Sequence, residues 1–71
     1  MKTFTFHPIR YKGVAYTVQL DGRTIGRVKL DRATFDGWIA YRSGADKALL
    51  SEDGYAAEFT TREDAAEALA R

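Results

Sequence analysis

The chain has 71 residues, of which 45% are hydrophobic and 30% charged, with a net charge of +1 and no cysteine. That bounds it to one small domain. It excludes a disulfide framework and a thiolate zinc site, and the single His7 cannot supply a histidine metal cluster. The total charge is not that of a strongly basic nucleic-acid binder, and no apolar run approaches the roughly 18 residues of a membrane-spanning helix. With no signal-peptide pattern at the start, the expected location is the cytoplasm.

The charge is unevenly spread. Residues 1–32 hold seven Lys/Arg against two Asp, whereas residues 33–71 hold four basic against eight acidic residues. Such a polarised chain offers at most a basic patch, or is simply a dipolar molecule whose halves attract.

The chain opens with Phe4 and Phe6 alternating with Thr3 and Thr5, the period of a half-buried strand. Pro8 ends that strand or confines it to an edge, since proline has no N–H for a ladder. His7, beside it, has no acidic or nucleophilic neighbour in sequence and reads as structural or solvent-facing.

Residues 14–30 read as a hairpin about Asp21-Gly22, because a tight turn needs positive φ and glycine tolerates it. A three-residue loop pairing position 19 with 23 collects Val14, Tyr16, Val18, Val28 and Leu30 on one apolar face. A two-residue loop pairing position 20 with 23 would set Val14, Tyr16 and Val18 beside Arg23, Ile25, Arg27 and Lys29 instead, turning one strand over. The other face then carries Ala15, Thr17, Gln19, Ile25, Arg27 and Lys29. In that register Tyr16 lies opposite Gly26, which either lets the ring cross the strand or marks a plain bulge.

A second Asp-Gly, Asp36-Gly37, precedes a strand over Trp38–Arg42. Placing Ile39 and Tyr41 inward puts Arg42 beside the basic face and leaves Trp38 partly exposed; the alternative makes Trp38 a core anchor. Lys47–Leu50 fits a short strand or one helical turn. Tyr55–Phe59 follows the Asp53-Gly54 turn as a strand with Tyr55, Ala57 and Phe59 on one face. The end is the clearest helix. Thr61 is the natural N-cap with Asp64 three residues on, Thr60 with Glu63 being the other frame. Glu63, Asp64 and Arg71 suit the dipole, and Ala65, Ala66, Ala68 and Leu69 form the buried stripe. About ten residues cannot hold a helix alone, and the small alanines imply close approach to a sheet. The expected fold is therefore α+β: an antiparallel sheet of four or five strands packed on one C-terminal helix over about 61–70, with the other sheet face open.

No Ser-His-Asp or Cys-His arrangement can be assembled from one His and no Cys, and the six glycines are scattered at turns rather than gathered in a phosphate loop. Glu52-Asp53 and Glu63-Asp64 read as a solvated turn and a helix first turn. The sequence points to a non-enzymatic binding module without catalytic residues, cofactor or metal. Its sharper form is nucleic-acid contact by Arg23, Arg27, Lys29, Trp38 and Arg42 on the open face, since arginine reaches phosphates and guanine edges. The blander form is a charged face that keeps the sheet soluble. The alternative is a host-protein partner met through Tyr11, Ile25 and Trp38, or a homodimer through the Phe4–Phe6 edge.

The segments Gly37-Trp-Ile-Ala-Tyr-Arg42 and Tyr55-Ala-Ala-Glu-Phe-Thr-Thr-Arg-Glu-Asp-Ala-Ala-Glu-Ala-Leu-Ala70 resemble the last strand and helix of the ethylene-response-factor type of plant DNA-binding domain. They are similar also to the N-terminal arm-binding domains of phage integrases, and to short actinobacterial and phage proteins with an aromatic-ended strand before Phe-x-Thr-Arg-x-x-Ala. In the DNA-binding domains a three-stranded sheet backed by one helix sets Arg and Trp in the major groove, which implies Arg42 and Trp38 as contacts here. The Thr-Arg-Glu-Asp-Ala stretch resembles as well the small sheet-helix half of the Hic toxin–antitoxin pairs.

Overall fold

The computed structural model describes residues 3–10, 14–31 and 37–71. Four strands, β1 (Phe4–Pro8), β2 (Ala15–Leu20), β3 (Arg23–Asp31) and β4 (Gly37–Arg42), form one antiparallel sheet in the order β1-β2-β3-β4. A single helix, α1 (Arg62–Leu69), packs on β3 and β4. This is the expected α+β arrangement, with four strands. No helix among the described residues is long and apolar enough to cross a membrane.

The β2–β3 hairpin keeps the expected apolar face but reaches it by another route. Asp21 and Gly22 both have positive φ, 51° and 86°, so the turn is the two-residue kind whose twist suits a hairpin. Leu20 therefore pairs with Arg23 and Gln19 with Thr24. Beyond that, Ile25 is an extra residue in β3, and the ladder resumes with Val18 opposite Gly26 and Tyr16 opposite Val28. A tight turn alone would have turned β3 over; the bulge turns it back. Tyr16 consequently faces Val28 rather than Gly26, and Val14 lies beside Leu30, whose N–H it accepts at 2.9 Å.

Gly26 serves the helix, not the Tyr16 ring. A Cβ built there would fall on the Tyr41 carbonyl oxygen and stand 3.1 Å from both Leu69 methyls. The core is small and close-set: Val18, Val28 and Ala40 on the sheet, Ala65, Ala66 and Leu69 on the helix. Leu69 lies against Gly26, and the small Ala40, Ala65 and Ala66 share its cluster, so helix and sheet can come close enough to bury it.

That packing corrects the assignment of β4. Val28 pairs with Ala40 and Leu30 with Trp38, so Trp38, Ala40 and Arg42 share the helix side while Ile39 and Tyr41 lie on the other face. The segment after β4 is not a further strand. Its only ladder contacts among the described residues are the isolated bridges Leu50–Ala56 and Trp38–Phe59. Tyr55 is 73% exposed, not turned inward with Ala57 and Phe59. The segment still closes the outer edge of β4. Trp38 and Phe59 exchange N–H···O bonds of 2.8 and 2.9 Å, and Leu49 N–H donates to the Ala40 carbonyl at 2.8 Å.

The helix begins as read from the sequence: Thr61 is extended, and its Oγ1 accepts the Asp64 N–H at 3.1 Å. Its C-terminal cation comes from elsewhere. The last turn holds no basic residue. Instead the Arg42 guanidinium reaches up from β4 and donates to the Leu69 carbonyl at 3.1 Å, meeting one of the acceptors that a helix end leaves unpaired.

Candidate nucleic-acid interface

The helix-free face is laid out in rows across the four strands. One row runs His7, Thr17, Arg27, Tyr41, each opposite the next. Beside it lies a row of Ala15, Lys29 and Ile39, extended on the β1 side by Ile9, whose N–H donates to the Ala15 carbonyl at 3.0 Å. On the other side Thr5 faces Gln19, whose Nε2 donates to the Thr24 hydroxyl at 3.3 Å. Among the described side chains of the strands, this face carries no carboxylate; register puts position 31 at its far end.

Two cations converge on one ring. The Arg27 guanidinium carbon lies 4.7 Å from the Tyr41 centroid and the Lys29 ammonium 5.2 Å. An aromatic face attracts both by its quadrupole, with about 0.5–1 kcal/mol for each exposed contact. Arg27 is held further by the turn after β4. Gly44, at a φ of +79°, swings the chain back so that the Ala45 carbonyl accepts from Arg27 at 3.2 Å. One of five guanidinium N–H groups is thereby used to fix the plane, and the fork keeps donors for a ligand. A hollow of about 350 Å³ beside these groups is lined by Ile9, Ala15, Arg27, Lys29, Tyr41 and Asp46, among others.

Of the residues singled out from the sequence, Arg27 and Lys29 are brought together on this face. Arg42, Trp38 and Arg23 are not. Arg42 is on the helix side as a cap, and Trp38 is half-buried on that side with its ring 6.0 Å from Tyr16. Arg23, opposite Leu20 at the hairpin tip, has the helix-side parity too. Of the alternative interface, Ile25 is the bulge residue and packs against the core, while Tyr11 lies outside the described residues. Tyr41 was missed because β4 was turned the wrong way. The signal that could have found it is the alanine stripe of the helix, which requires a small residue beneath it. Ala40 is that residue, and its parity sends Tyr41 outward.

The acidic residues of the helix start lie on the far side of the sheet from Arg27. There Arg62 spans the Phe6 and Tyr16 rings, at 4.4 and 4.7 Å from their centroids, and donates through Nε to Glu63 at 3.1 Å. That hydrogen bond holds the Glu63 carboxyl below the ordinary glutamate range. Comparison with protein-family models, curated proteins and solved structures finds no match to this chain.

Proposed function

We propose that the chain is a small non-catalytic module that binds nucleic acid on the helix-free face of its sheet. The observation that supports this is the pair of cations gathered over Tyr41: Arg27, in the row with His7 and Thr17, and Lys29, in the row beside it. A phosphodiester needs a fixed positive group with outward donors. Arg27 supplies the fixed fork, Lys29 a second charge, and Thr17 and Gln19 neutral donors beside them. The acidic first turn of the helix is kept off the surface by the sheet itself.

Two cations release few counterions. The logarithm of the binding constant should fall with the logarithm of salt at a slope of about −2, and binding should be weak at physiological ionic strength. The test is a backbone-amide NMR titration with mixed-sequence duplex DNA at low and moderate salt. The expected result is salt-sensitive shifts at Thr17, Arg27, Lys29 and Tyr41, absent in Arg27→Glu. No shifts at low salt, or shifts confined to Arg23, Trp38 and Arg42, would sink the proposal.

A further inference from the structure

The two edges of the sheet are finished differently. The outer edge of β4 is taken up by Leu49 and Phe59, whereas β1 ends the sheet and no other strand adjoins its outer side among the described residues. The groups it presents follow from the ladder. Thr3 accepts the Asp21 N–H and Ile9 donates to Ala15, so the odd-numbered residues of this segment bond to β2. By the alternation of an antiparallel pair, Phe4, Phe6 and Pro8 direct their backbone groups outward. Pro8 has no N–H and stops a ladder there; Phe4 and Phe6 each offer an N–H and a carbonyl.

Exposed edges are ordinarily protected by charge. β1, with the sequence Phe-Thr-Phe-His-Pro, contains no Lys, Arg, Asp or Glu. It is also close to a palindrome about Thr5, with Phe4 and Phe6 on either side and Thr3 and His7 beyond. A two-fold axis requires such a surface, since each residue must suit its mirror position. We infer that β1 pairs antiparallel with β1 of a second copy about Thr5, joining two four-stranded sheets into one of eight. Phe4 then faces Phe6 of the second copy and exchanges both backbone bonds with it, and the dyad repeats the pair, giving four bonds in all. The phenyl rings, half-buried on the helix side in each copy, meet their counterparts there. Thr5 meets Thr5 on the open face, a favourable cross-strand pair. The inference does not depend on what the open face binds.

The test uses charge at the dyad. Thr5 is exposed and its side chain leaves the helix-side packing untouched. In Thr5→Lys, or in Thr5→Glu, like charges stand directly opposite each other; mixing the two variants sets opposite charges there. Sedimentation velocity of the full chain over a range of concentrations should show a dimer for the wild type and a monomer for each variant. An equimolar mixture should restore the dimer. Hydrogen exchange at the Phe4 and Phe6 amides should be slow in the dimer and fast on dilution. A wild-type chain that stays monomeric at every concentration leaves the edge to another protein's strand and overturns the inference. So does a dimer that survives Thr5→Lys with those two amides unprotected, or a mixture that remains monomeric.

Discussion

Arg27 and Arg42 stand one register step apart on neighbouring strands and face opposite sides of the same sheet. Arg42, on the helix side, is spent on the fold: it closes the C-terminal end of the helix through the Leu69 carbonyl. Arg27, on the open side, is held in place by Tyr41 and Ala45 but keeps donors that face solvent. The two arginines are indistinguishable by composition. Strand parity alone decides which is structural and which is available, and parity in turn is set by the close contact between helix and sheet. The helix side tolerates little change, whereas on the open side the only buried side chains among the described strand residues are those of Ala15 and Ile39, so substitutions of the remaining open-side residues should have smaller effects than those on the helix side.

The largest effect is expected at Gly26. A Cβ there would strike the Tyr41 carbonyl and press on Leu69, and backbone in a neighbouring strand cannot move aside as a side chain can. Gly26→Val should destabilise by about 3 kcal/mol or more. A domain of this length holds roughly 4–10 kcal/mol in total, so denaturant unfolding should show a chain at or near loss of its fold. A stable Gly26→Val protein would break the comparison, because the helix would then not be set by that close approach. Leu69→Ala tests the same contact from the other side. Leu69 is 3% exposed and is the largest side chain that the helix contributes to the core. A loss of about 3 kcal/mol is expected, within the usual span for a buried leucine. Chemical denaturation would read it as a lower midpoint with an unchanged slope.

How far the sequence discloses this arrangement depends on which residues are asked. Apolar alternation in 14–20 and 28–30, the Asp-Gly turn, and the Thr cap before an alanine stripe are local signals, and they lead to the fold class, the apolar face and the helix bounds. The bulge at Ile25 is not local. It compensates for a turn one residue shorter than expected, and two errors of one residue cancel in the face while leaving the register displaced by two. β4 is the hardest case, since Trp38-Ala40-Arg42 and Ile39-Tyr41 both make plausible inward sets. Keeping Arg42 beside the basic face favours an inward Ile39 and Tyr41; helix proximity favours Ala40, and proximity wins because an alanine helix buries Leu69 only by coming close. The candidate site inherits that ambiguity. Arg27 and Lys29 are legible from the hairpin, but Tyr41 beneath them appears only once β4 is turned.

The two arginines themselves give a smaller and sharper test. Arg42→Ala removes a charged hydrogen bond at a half-buried helix end and should cost about 1 kcal/mol. Arg27→Ala loses an exposed ring contact and one exposed hydrogen bond, and should cost about 0.5 kcal/mol. Nucleic-acid affinity should run the other way, lost in Arg27→Ala and kept in Arg42→Ala wherever that variant is folded. Thermal unfolding and the DNA titration, on the same two proteins, check both halves. Equal losses of affinity would mean that the two faces are not functionally distinct.

The smallest expected effect concerns pH, and it belongs to the helix side. The Glu63 carboxyl is held below its ordinary range by the hydrogen bond from Arg62. A depressed folded-state value means that the folded chain binds fewer protons than the unfolded one as the medium becomes acidic. Its contribution to stability is therefore complete above the ordinary glutamate range and is lost as pH falls through that range to the folded value. Glu63 is exposed, so water screens the pair and the effect is slight. Glu63→Gln should lower the melting temperature a little near neutrality and flatten its fall on the acid side. Arg62 should hold its place over Phe6 and Tyr16 in that variant, because the two rings attract the guanidinium whatever the state of its carboxylate neighbour. If ring-current shifts of the Arg62 side-chain protons vanish in Glu63→Gln, the carboxylate rather than the aromatic pair positions Arg62, and the helix start is tied to β1 and β2 by charge instead of by packing.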